Sequence, residues 1–202
     1  GSIVISTGTA SLGDSGSITL ATGPSEYGDG GSLIFAAGNS TGAVGAGGHI
    51  ELLAGSSQGG DGGGVVLSSG SGSTFLSGRD SGYAILSTAD AQNDKGSSGG
   101  VQIFTGSSLS GDTGSIRVGT GDATLGSTGG VIIAVGNGAT GAGGSVNISA
   151  GNTTADDVPG GSIVLSAGSG SSKQGGGGGD VILTAGIGSG GIGGSGSVLS
   201  GE

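Results

Sequence analysis

Gly161-Ser162-Ile163-Val164-Leu165-Ser166-Ala167-Gly168 is a pattern that returns, with small changes, every 15 to 19 residues along this 202-residue chain. Full copies begin at Gly1, Gly16, Gly31, Gly48, Gly63, Gly82, Gly99, Gly114, Gly129, Gly144, Gly161 and Gly179, and a thirteenth begins at Gly196. The third and fifth positions of each copy are apolar, as in Ile3/Ile5, Leu33/Phe35, Val101/Ile103 and Ile163/Leu165, with Ala84/Leu86 the weakest pair. The seventh position is always small or β-branched, and the eighth is glycine except at Ala89. Apolar residues at every second position, bracketed by glycine, predict a short strand with one covered face.

Two apolar side chains cannot offset the entropy of ordering some fifteen residues, so no copy is expected to fold alone. Stacking copies at about 4.8 Å would pair the backbone and join the small apolar faces into one core. The sequence therefore predicts an all-β fold, a parallel β-solenoid of twelve to thirteen strand repeats running through residues 1–202. At the fourth position, odd copies are mostly apolar (Val4, Ile34, Val66, Gln102, Ile132, Val164) and even copies more polar (Thr19, Glu51, Ile85, Arg117, Asn147, Ile182). That segregation suggests two strands per coil of about 32 residues, odd strands forming one sheet and even strands the opposite one. A shift of 98 residues overlays Ser11–Ile18 on Leu109–Ile116, which suggests six-strand super-repeats over 1–98 and 99–195 and the start of a third at 196–202.

Composition narrows the class. With 57 glycines, 2% aromatic residues and 9% charged residues, an aromatic-rich core is excluded. Two prolines and a period near 16 exclude collagen. A net charge of −10, with the four bases Arg79, Lys95, Arg117 and Lys173 scattered, argues against nucleic acid. No apolar run approaches the length of a membrane-spanning helix, and the absence of cysteine removes disulfides and thiolate metal sites. The chain has no Met and opens inside a repeat, so it is expected to be a segment of something longer, with open sheet edges at both ends.

Candidate sites are few. The odd-face residues Val4, Ile34, Val66, Phe104, Ile132 and Val164 are expected to make lateral contacts between chains, although scattered surface aliphatics also suit strand propensity alone. Asp14, Asp29, Asp61 and Asp112 follow glycine in a recurrent turn, and Asp80 holds the same place after Arg79. Stacked carboxylates there could hold Ca²⁺, but Asp before a turn glycine ordinarily bonds its own backbone, and the nonapeptide register of calcium-binding β-rolls is missing. Asn39, Asn147 and Asn152 lie in Asn-x-Ser/Thr sequences open to N-glycosylation. The strings G-S-S-Q-G at Gly55 and G-S-S-G-G at Gly96 match a nucleophile elbow, but His49 is the sole imidazole and reads as a solvated turn residue. No catalytic constellation emerges, and the chain reads as a non-enzyme.

The motif G-[SG]-[IVL]-x-[ILVF]-x-x-G resembles the glycine-rich β-solenoid arrays of very large microbial surface and extracellular proteins, such as adhesin stalks and fibre-forming proteins. The resemblance covers the whole chain and implies a rod, stalk or filament outside the cell or on its surface, with the chain's own copies as partners and glycans as an addition. It carries over no catalytic residue. An ice-binding solenoid is the alternative, but Thr19 and Thr184 among Glu51, Arg117 and Asn147 do not supply a flat threonine array. A polysaccharide-acting β-helix would need paired outward carboxylates, whereas Glu51 and Arg117 are the only charged residues at the fourth position of the even copies.

Overall fold

A computed structural model describes residues 1–72, 80–91 and 96–200. Two of the four bases, Arg79 and Lys95, and the end of the thirteenth copy, 201–202, lie outside the described residues. Among the described residues there is no helix and no strand. The parallel β-solenoid, with its twelve to thirteen strand repeats, two-strand coils and opposed odd and even sheets, is therefore incorrect. The physical reason lies in what alternation can specify. Apolar residues at every second position define an apolar face, but they name no partner and no register. Glycine at both ends of each copy adds backbone entropy to be lost and no side chain to pack.

The chain divides into two units, Gly1–Ile103 and Phe104–Glu202, the boundary falling inside the copy that begins at Gly99. The same construction is seen within each unit. Eight-residue segments, each running from a leading glycine to the eighth position, alternate with turns. Six of the turns are drawn shut by one backbone hydrogen bond, donated by the leading glycine N–H to the carbonyl of the preceding eighth-position glycine. In the first unit these bonds are Gly48 to Gly38, Gly63 to Gly55 and Gly82 to Gly70, and in the second Gly161 to Gly151, Gly179 to Gly168 and Gly194 to Gly186, all at 2.9 Å. Among the described residues no further backbone bonds extend these closures into a ladder.

Nearly all variation in repeat length sits in the turns. Seven of them have seven residues between the bracketing glycines (9–15, 24–30, 56–62, 107–113, 122–128, 137–143 and 187–193), and in all seven the fifth residue is glycine. The backbone bends sharply over the three residues ending on that glycine, as at 11–13, 58–60 and 189–191. The last turn closes on Gly194, two residues before the glycine that the sequence pattern takes as the start of the thirteenth copy.

Longer turns bend in other ways. Asp157 in the turn 152–160 has φ 57° and Gly175 in the turn 169–178 has φ 96°. Both lie in the left-handed region, which glycine enters freely and aspartate better than most residues.

No side chain among the described residues is buried. The alternation still leaves a trace: Ile163 is 51% exposed, Val164 79% and Leu165 67%. Third-position side chains from Ile18 to Val181, Ala84 apart, are about half covered, whereas Ile3 is 92% and Val198 101% exposed. The chain exposes 19921 Å², whereas a compact monomer of its mass would expose roughly 8,000 Å². Among the described residues no helix is long and apolar enough to cross a membrane.

A chain without a buried core has no cooperative unit to melt. Scanning calorimetry of the dilute monomer is expected to show no unfolding endotherm between room temperature and boiling. A sharp transition with equal calorimetric and van't Hoff enthalpies would show that a core exists.

Candidate functional site

The turn junction recurs along the described chain. A Cβ placed on the leading glycine would come within 4 Å of the seventh-position side chain of the copy before it at the eleven junctions from Gly16 to Gly179, and Gly194 meets Ala185 in the same way, whereas Gly196 meets nothing. The approach is 3.3 Å from Gly16 to Thr7, 3.0 Å from Gly31 to Thr22, 3.1 Å from Gly48 to Ala37 and 2.7 Å from Gly144 to Val135. At these junctions a leading side chain would be crowded, and a short or closely branched seventh residue suits the space; at Gly63, Gly82, Gly99, Gly114, Gly129, Gly179 and Gly194 the approach is an ordinary contact of 3.4 to 3.8 Å. At one junction the contact becomes polar, the Thr22 hydroxyl donating to the Gly31 carbonyl at 2.9 Å.

The eighth-position glycine is different. Its recurrence suggests a close approach or a special backbone conformation, yet a Cβ there would meet nothing within 4 Å at any of the eleven copies that have it. None of these glycines has a left-handed φ. Ala89 therefore fits its position without adjustment.

Within the turns, the sequence reading missed the residue that ties the bend. Ser25, Ser57 and Ser108 each stand three residues before the turn glycine, and each hydroxyl accepts a hydrogen bond from that glycine's N–H. The distances are 3.0 Å for Gly28, 2.9 Å for Gly60 and 3.0 Å for Gly111. The signal was present as the spacing S-x-x-G-D, which occurs at Ser25, Ser57 and Ser108. A short hydroxyl residue satisfying a nearby backbone N–H is an ordinary way of fixing a turn. In the sister turn 9–15 the equivalent residue is Ala10, which has no hydroxyl to offer, and there Gly13 takes φ 93°. Ser57 also belongs to the elbow-like string at Gly55. Its hydroxyl is occupied by the N–H groups of Gly59 and Gly60, which gives it a turn role and no basic partner.

The aspartates expected in these turns are present and exposed. Asp14, Asp29, Asp61 and Asp112 each directly follow the turn glycine, and Asp80 precedes the leading glycine Gly82 by two residues. Among the described residues their carboxylates accept no backbone bond of the kind expected for turn aspartates; the serines tie the bends instead. Among the described residues no three of His, Asp or Glu gather where they could hold a metal ion. His49 is exposed.

Asn39 and Asn152 are each the first residue of a nine-residue turn, and Asn147 lies in the middle of a segment; all three are exposed. Val4, Ile34, Val66, Phe104, Ile132 and Val164 all face solvent, but so do their third- and fifth-position neighbours, so they do not form one face of a sheet. One shallow hollow of about 290 Å³ is lined by Ile182, Leu183, Thr184, Ala185, Ser195 and Gly196 and contains no acid, base or imidazole.

Replacing Ser57 with alanine is expected to release the Gly60 N–H while leaving the Gly63 to Gly55 closure in place. With about 0.5–1.5 kcal/mol for such a bond, amide exchange at Gly60 should quicken by roughly 2- to 12-fold and that at Gly28 should not change. Equal exchange at Gly60 in both proteins would remove the serine from the turn's construction. Comparison with protein-family models, with curated proteins and with solved structures finds no match to this chain.

Proposed function

We propose that the chain is a structural protein, a repetitive segment that associates with copies of itself to build a filament on or outside the cell. The observation that carries this reading is the exposure of apolar side chains at the third, fourth and fifth positions of nearly every copy, with none buried among the described residues. Contiguous apolar surface on this scale is covered, in a working protein, by a partner. A repetitive chain offers the same surface at regular spacing, so another copy of itself is the partner that matches it along its whole length.

Composition supports the same conclusion. The turns carry most of the acids, including Asp14, Asp29, Asp61, Asp112, Asp122, Asp156 and Asp157, while the segments between them are nearly uncharged. Negative turns keep chains soluble and limit how they approach, which leaves the uncharged segments as the zones of contact. The hydroxyls and the sequons at Asn39, Asn147 and Asn152 provide places for glycans on an exposed fibre.

Sedimentation across a wide range of concentration, followed by electron microscopy, tests this proposal. Wild-type protein should pass from monomer to unbranched filaments. Threonine at positions 4, 34, 66, 104, 132 and 164 together should raise the concentration needed for assembly by on the order of tenfold or more, each tenfold step corresponding to about 1.4 kcal/mol. Threonine at the turn residues Leu12, Leu109 and Leu125 should leave it nearly unchanged. A chain that stays monomeric at every concentration, or a sixfold variant that assembles like wild type, would overturn the reading.

A further inference from the structure

The geometry points to Asn137-Gly138 as a self-modifying site, at which the chain converts asparagine to a mixture of aspartate and isoaspartate without an enzyme. The proposal is independent of the filament reading. The backbone nitrogen of Gly138 attacks the side-chain amide carbon of Asn137. A C–N bond forms, the nitrogen loses its proton, and ammonia leaves with the former side-chain nitrogen. The product is a five-membered succinimide. Water then adds to one of its two carbonyls and the ring opens, giving aspartate by one route and isoaspartate, with an extra backbone methylene, by the other. No oxidant or reductant is required.

Three observations single out this asparagine. Asn137 is the only asparagine of the chain followed by glycine. A Cβ on the following residue hinders approach of its nitrogen to the amide carbon, so Asn39-Ser40, Asn147-Ile148 and Asn152-Thr153 are each disfavoured. Second, Asn137 and Gly138 are exposed, and among the described residues no acceptor holds the Gly138 N–H and no donor holds the Asn137 side chain. Third, this is a loosely tied turn. The position held by the capping serine in the turns of Ser25, Ser57 and Ser108 is Gly138 itself, so no such serine ties the bend at 139–141. No backbone bond of the Gly48-to-Gly38 kind closes the turn from Gly144 to Gly136 either. Glycine at 138, 141 and 143 lets the backbone rotate into the geometry of attack at low cost.

Asp29-Gly30 and Asp61-Gly62 offer the same following glycine, but a carboxylate is a poor target for the attack, and their turns are tied by Ser25 and Ser57. Asn137 is also outside the three glycosylation sequences, since Ala139 follows Gly138. Conversion would place a new carboxylate directly after the uncharged segment 129–136.

The test is incubation of the intact chain at neutral and mildly alkaline pH, with peptide mapping over days for isoaspartate and for the mass gained when an amide becomes an acid. Position 137 is expected to convert first among Asn39, Asn137, Asn147 and Asn152, faster as pH rises. Asn137→Gln should abolish conversion at that position. Gly138→Ala should slow it severalfold, and because the added Cβ would sit 3.5 Å from the Gly141 carbonyl oxygen, an ordinary contact, the turn itself should tolerate the change. Conversion at Asn39, Asn147 or Asn152 as fast as at Asn137, or an unchanged rate in Gly138→Ala, would overturn the proposal.

Discussion

Each turn depends on one close approach, that of the leading glycine to the seventh-position side chain of the copy before it. At Gly16, Gly31, Gly48, Gly144 and Gly161 the contact crowds any Cβ at the leading position, most sharply in the 2.7 Å approach of Gly144 to Val135. In six described turns the leading N–H also reaches the carbonyl of the eighth-position glycine. The intervening residues are then free to vary from seven to eleven in number. Serine caps at Ser25, Ser57 and Ser108 fix the bend where they occur, and glycine in the left-handed region serves the purpose at Gly13.

How far the sequence could be read follows from what its pattern encodes. The repeat, its leading glycine, its small seventh residue and the location of the turns were all legible, because each reflects local sterics. The half-covered third position was legible too, since Ile18, Val101 and Ile163 share both the pattern and the partial shielding. Strand pairing was not, because Ile163 and Leu165 say which side is apolar without saying what lies against it. The eighth glycine invited a steric explanation that its empty surroundings do not support. The serine caps were missed for the opposite reason: among so many serines, a spacing of three to a glycine draws no notice until the bond from Gly60 to Ser57 is seen.

The exposure of Val4, Ile34, Val66, Ile132 and Val164 alongside their apolar neighbours is the fact that any functional account must address. Partial shielding leaves most of that surface in water, where it costs free energy that the proposed association would recover. Charge concentrated in the turns and sparse in the segments agrees with such an end. Hydroxyl and amide groups in the turns then become the chemically addressable parts of an assembly, and Asn137 is the most reactive of them.

The account rests on the monomer having turns without ladders. Infrared spectroscopy of the amide I band, at a concentration where sedimentation shows a single chain, measures this directly. The account predicts a broad band in the position of irregular backbone. A narrow, low-frequency sheet band from the isolated chain would mean that its segments pair with one another and would contradict it.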